Sequence, residues 1–213
     1  MRWVVWLLMF IPGVSLAQAD GLVESRKRFL AQLLLDPRSP IDSVSIHDVA
    51  FFAPNDTFVC ETVILPLLDT ATVAFPTSDG ATKDYRPYAR LFFRHGSAMH
   101  GLTVYESLQT RNHPLYRNKL FLPFLDDTNG FESYGGGRYL DVDRRDVEAR
   151  EVTLDFNRAY NPWCAYSDDF SCPIPPPTNR LPFRVQAGEA AFAKTHDTSP
   201  PSHVAPAERD SGR

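Results

Sequence analysis

From residue 43 to about residue 183 the chain is written in short apolar runs. Several of them alternate with polar residues at a period of two, the spacing of a strand with one buried face. Thr57–Leu65, Ala71–Phe75, Tyr88–Arg94, Leu102–Tyr105, Leu120–Phe124, Arg138–Val142 and Val152–Phe156 read as strands. Turn-forming clusters separate them: Ala53-Pro54-Asn55-Asp56, Pro76 to Gly80, His95-Gly96-Ser97 and Thr128-Asn129-Gly130. One stretch has the other period. Leu22, Phe29, Leu30, Leu33 and Leu34 fall on one face of a helix over Leu22–Leu35, with Glu24, Arg26 and Lys27 on the opposite face. Asp36-Pro37 ends it, because proline cannot extend the ladder and restricts the residue before it. The pattern predicts an all-β fold with one N-terminal helix, either an antiparallel β-sandwich or a partly open barrel. A helix and linker over 20–42 would pack on a β-rich domain over 43–190, and 191–213, polar and Pro-rich, would be a disordered tail.

The N-terminus adds an address. Arg2, the apolar run Trp3–Val14 and the small-x-small triplet Ala17-Gln18-Ala19 compose a secretory signal peptide over 1–19. The run falls short of the ~20 residues of a membrane span, and no stable transmembrane anchor is expected after cleavage. The location expected is the periplasm or the extracellular space. Losing Arg2 takes the net charge from −4 to −5, which offers no electrostatic footprint for nucleic acid. Eighteen Pro argue for short strands and loops. Cys164 and Cys172, eight apart, are expected to bridge in an oxidising compartment, since no Cys-x-x-Cys or His pair marks a metal site; Cys60 reads as a buried thiol. No cofactor is indicated.

The richest polar segment runs from Leu120 to Glu189. On Arg138–Val142, Arg138 shares the parity of Leu140 and Val142, while Tyr139, Asp141 and Asp143 face the other way. An internal guanidinium needs acceptors, and two readings follow: Arg138 pairs with Asp155 or Asp141 to lock strands, or its planar donors hold a ligand's carboxylate or phosphate. Gly135, Gly136 and Gly137 allow a bulge or tight turn, and with no helix after them they make a poor dinucleotide loop. Asp126, Asp127, Thr128 and Asn129 lack calcium-loop spacing and read as a polar turn. No nucleophile elbow is present, and His95 and His100 flank a hairpin tip. The stiff loop Cys172-Pro173-Ile174-Pro175-Pro176-Pro177 serves either as the wall of a site or as cover for a sheet edge.

Taken together, LFLPF (Leu120–Phe124), DTNG (Asp127–Gly130), YGGGRYL (Tyr134–Leu140), LDFNRAYNPWCAY (Leu154–Tyr166), CPIPPPTN (Cys172–Asn179) and AGE (Ala187–Glu189) resemble the bacterial family catalogued as domain of unknown function 1684. Ser133 stands where threonine is common in that family, and Ala190 where lysine is usual. The resemblance implies an exported or lipid-anchored envelope protein with a β-rich domain. It brings no established activity, so no catalytic residue is carried over.

The expectation is an exported protein that binds a small polar or anionic ligand in a pocket near Asn129, Tyr134, Arg138, Asp155, Asn157, Arg158 and Tyr160. A periplasmic hydrolase using Asp155 or Asp141 as base beside Arg138, and a structural envelope-accessory protein, are the alternatives.

Overall fold

The computed structural model describes residues 16–68 and 70–193. The expected leader lies outside these residues except for its last four, which open the first helix, and the expected tail lies outside from residue 194. Seven strands follow the helix: β1 (Val59–Pro66), β2 (Val73–Pro76), β3 (Thr82–His95), β4 (Ala98–Ser107), β5 (Lys119–Phe124), β6 (Arg138–Asp143) and β7 (Thr153–Asp155). They form one antiparallel sheet in the order β6-β5-β4-β3-β1-β7, with β2 on β3, curled into a half-open barrel. Each strand coincides with one of the predicted runs. A short helix, α2 (Arg144–Ala149), has no counterpart in the sequence pattern; Asp143 caps it by accepting from the Arg145 amide, and Arg150 closes it at φ 61°.

The long helix α1 (Leu16–Leu35) stops before Pro37, as expected. Leu22 and Leu33 are buried, but Leu34 is 45% exposed, contrary to the reading that placed it on the inner face. The packed face is narrower: it runs through positions 22, 26, 29 and 33, with Leu30 packed against the cluster of Ile41, Val49, Ala165 and Tyr166. Arg26 joins it: its Nη2 donates to the Phe52 carbonyl at 3.0 Å and its guanidinium lies 4.7 Å from the Phe51 ring centroid. The stem is covered while the head finds an acceptor.

The sheet has two working faces. On one, Leu91, Leu102, Leu122, Phe124, Leu140 and Leu154 make the core, roofed by Phe156 and by Leu181, Val185 and Ala187 of the last segment. On the other, Tyr105, Phe121, Tyr139 and Asp141 project from β4, β5 and β6, below α1. A bulge decides what β3 adds. Pro87 pairs with Tyr105 and Ala89 with Val104, so Tyr88 is an extra residue. In a regular strand Tyr85, four residues before Ala89, would share its parity and point into the core; because Tyr88 takes no partner, Tyr85 joins the second face.

Candidate functional site

The expected pocket residues do not make one pocket: Arg138 and Asn129 are built into the buried side, Tyr134 packs in a separate cluster, and Asn157 bridges towards the open side by donating its amide and Nδ2 to Asp155 Oδ1 at 3.0 and 2.9 Å. Arg138 is fully buried, with 0% exposure, on the core face. Its Nη2 donates to Asp126 Oδ2 at 2.9 Å and to the Val185 carbonyl at 2.7 Å; its Nη1 donates to the Ala187 and Glu189 carbonyls at 2.5 and 3.1 Å. The Phe124 and Phe52 rings flank it at 5.4 and 5.6 Å. Asp126 Oδ1 in turn accepts from the amides of Thr128 and Val185. The carboxylate partner is therefore neither Asp155 nor Asp141. It comes from the acidic turn after β5, because that turn brings a fully buried carboxylate under the guanidinium and only a matched charge offsets such desolvation. Burial pulls the guanidinium's pKa down and Asp126 holds it up.

Asn129 belongs to the same turn, accepting from the Asp126 amide at 2.7 Å and donating to Ser133 Oγ. Tyr134 packs against the cluster of Ile41, Val49, Ala165 and Tyr166. Asn157 is buried and exchanges hydrogen bonds with the Asn55 backbone at 2.9 and 3.0 Å. Two further buried polar residues in the motif strings act in the same way. Asn179 accepts from the Thr103 amide and donates to the Thr103 and Pro123 carbonyls. It fills the split where β4 and β5 pair only through Tyr105 and Phe121. Glu189 accepts from the Asn161 amide at 2.9 Å and the Tyr166 hydroxyl at 2.5 Å, and burial pushes its carboxyl up to about 7. The segment rich in polar residues is, in large part, what ties residues 179–190 across the sheet.

Asp155, Arg158 and Tyr160 lie elsewhere, on the open side. Asp155 Oδ2 pairs with Arg158 Nε at 3.0 Å, and both line a cleft of about 420 Å³ between the β6 and β7 edges, with Tyr160. Tyr160 also borders a second cleft of about 420 Å³ under α1, where Phe29, Tyr85, Tyr116, Phe121 and Trp163 supply rings and Asp36, Lys119 and Asp141 supply charge. Lys119 Nζ lies 2.6 Å from Asp141 Oδ2, and the Tyr160 hydroxyl donates to Asp141 Oδ1 at 2.9 Å. Burial, then the negative charge of Asp141, raises the Tyr160 phenol well above its usual range; burial alone puts Tyr85 at about 12, so both hydroxyls stay protonated donors. The rings form an unbroken strip: Phe75 to Tyr85 at 4.7 Å, Tyr85 to Phe121 at 5.2 Å, Phe121 to Tyr139 at 4.6 Å and Tyr139 to Tyr160 at 5.9 Å. The strip then reaches α1, where Tyr160 and Phe29 lie 6.1 Å apart.

The disulfide Cys164–Cys172 forms as expected, and Cys60 is buried and free. Cys172 and Pro173 border a third space of about 430 Å³ that adjoins the cleft under α1, so the stiff loop is a wall of it. The sequence reading missed Lys119, Tyr85, Phe121 and Trp163. A signal existed for Phe121 and Lys119, which share the outward parity of β5; Tyr85 depends on the bulge. Arg138 and Asp141 sit on opposite faces of β6, so the base-and-guanidinium arrangement imagined for a hydrolase is not assembled from them. Among the described residues no group of three His, Cys, Asp or Glu side chains is placed to hold a metal ion, and no helix is long and apolar enough to cross a membrane.

The family described as "protein of unknown function (DUF1684)" matches the chain over residues 45–190. The chain is also similar to the solution NMR structure of an uncharacterized protein of Haloarcula marismortui, at 32% sequence identity and a TM-score of 0.60, over 82% of this chain and 92% of that one. No curated protein matches the chain.

Proposed function

The chain belongs to the DUF1684 family of proteins of unknown function, and from that footing we propose that it is an exported binding protein, holding a small polar molecule in the cleft beneath α1. One observation carries this reading. A continuous aromatic strip is left partly open in a space of about 420 Å³, with a hydrogen-bonded set of polar groups, Lys119, Asp141 and the Tyr160 hydroxyl, at one edge and Gln32, Asp36, Ser107 and Thr110 elsewhere in its lining. That size and that mix of apolar wall with a few convergent polar groups are those of small-molecule sites, ~300–1,000 Å³. Export rests on the leader over 1–19 and fits the Cys164–Cys172 bridge, which persists only where thiols are oxidised.

Two experiments test the reading. Purified protein is titrated with sugars, amino acids, dicarboxylates and nucleosides while backbone amide resonances are followed. A bound member should shift Tyr85, Phe121 and Trp163 saturably, and Lys119→Met should weaken it about fivefold or more. Shifts confined to the core side around Arg138, or none at all, would sink the cleft. Fractionation of expressing cells should give a mature chain beginning near Asp20 outside the cytoplasm; an intact Met1 chain inside would end the export claim.

A further inference from the structure

Resting on that reading of the cleft, we propose that its ligand is a neutral carbohydrate, a chain of at least two sugar rings. The charged groups argue first. Lys119 and Asp141 make a neutral pair with 52% and 38% of their side chains exposed, and the cleft's other carboxylate, Asp36, is paired with Arg38 at 2.9 Å, so a charged ligand drawn to one group is repelled by another. Neighbouring sugar hydroxyls meet no such conflict, because each can accept from the ammonium and donate to the carboxylate. The second cation along the trough is also engaged: Lys83 Nζ donates to the Ser171 carbonyl at 2.5 Å, which leaves no cluster of free positive charge for a phosphate.

The rings argue second. A pyranose has a face of C–H bonds, and an aromatic face is the flat, weakly polar surface that covers it at low entropic cost. Phe29, Phe121, Tyr116 and Trp163 line the cleft from α1, β5 and two loops, with the Arg38 guanidinium 5.6 Å from the Trp163 ring centroid. The hydroxyl and amide side chains of Ser107, Thr110 and Gln32 interrupt the apolar wall, which suits a polyol and spoils the lining for an acyl chain. Shape argues third. The spaces of about 420 and 430 Å³ share Tyr85, Ser107, Thr110, Phe121, Tyr160 and Trp163, so they form one trough longer than a single ring.

The test uses NMR titration and calorimetry of the purified protein with maltotetraose, cellotetraose and tetra-N-acetylchitotetraose, and with dodecanoate and trigalacturonate for contrast. At least one neutral tetrasaccharide should shift the Tyr85, Phe121 and Trp163 resonances saturably. Tyr116→Ala and Asp141→Asn should each weaken it about tenfold or more, by the scale of ring-stacking losses. Both side chains are partly exposed, Tyr116 by 40%, so the melting temperatures should not move. Binding that survives both substitutions, or no binding by any of the three, overturns the carbohydrate assignment. If dodecanoate or trigalacturonate alone shifts those resonances, the cleft stands as a site and only the ligand class is wrong. If no probe shifts them, the carbohydrate assignment falls, and the cleft falls with it only when the amino acids, dicarboxylates and nucleosides also leave those resonances unmoved.

Discussion

Replacing Arg138 with methionine should cost about 4 kcal/mol of stability. The guanidinium and the Asp126 carboxylate are both 0% exposed, and deleting one member of such a pair strands the other charge at ~3–5 kcal/mol. Asp126 keeps three donors, the Thr128 amide and hydroxyl and the Val185 amide, which holds the loss near the lower half of that range. The Val185, Ala187 and Glu189 carbonyls lose their guanidinium donor, at ~1 kcal/mol each at most, partly offset by methionine packed between Phe52 and Phe124. Against a total of ~5–15 kcal/mol the change is large, and it corresponds to a fall of roughly 8–16 °C in Tm for a domain of this size. Urea unfolding followed by circular dichroism gives the number directly, with the slope as a check that the native state stays compact. The diagnostic variant is the double substitution Arg138→Met with Asp126→Asn, which leaves no unpaired charge and should be more stable than Arg138→Met alone. A single variant that loses less than ~1 kcal/mol, or a double variant whose loss equals the sum of the two singles, would show that the ion pair does not brace the fold.

Glu189 gives a pH dependence. Its folded carboxyl titrates at about 7 against an ordinary 4.5, so the folded protein holds a proton that the unfolded chain has released between those values; its contribution is complete below pH 4.5 and is lost as pH rises towards 7, at up to ~1.4 kcal/mol per pH unit. Melting curves of the wild type and Glu189→Gln should converge or cross over that window, and parallel curves would refute it. Gly137 has φ 89°, and an added Cβ would lie 2.7 Å from the Phe124 carbonyl, whereas one at Gly135 meets nothing closer than 3.7 Å. Gly137→Ala should therefore cost more than the ~1–2 kcal/mol of the left-handed backbone alone, with Gly135→Ala near neutral in the same unfolding assay; equal effects would be the contrary result.

How much of this was legible in the sequence follows the range over which each signal acts. Strand parity is local, so Leu120, Leu122 and Phe124 on β5, and Arg138, Leu140 and Val142 on β6, were readable as inward positions without knowing what they met. Parity stops at a loop. The partner of Arg138 lies on the turn twelve residues earlier, and only the pairing of β5 with β6 brings Asp126 beneath it. The cleft was harder still, since it draws Phe29 from α1, Tyr85 from β3, Lys119 and Phe121 from β5, Asp141 from β6 and Tyr160 from a loop, with Tyr85 turned outward by one unpaired residue. The segment between Leu120 and Glu189 is dense in polar residues because most buried donors and acceptors must find partners, which demands particular residues at particular places. A binding face demands less of each position, since water satisfies its polar groups until a ligand arrives. The same dense segment can therefore be mostly scaffold, while the surface open to a ligand is spread thinly along the chain on the other side of the sheet.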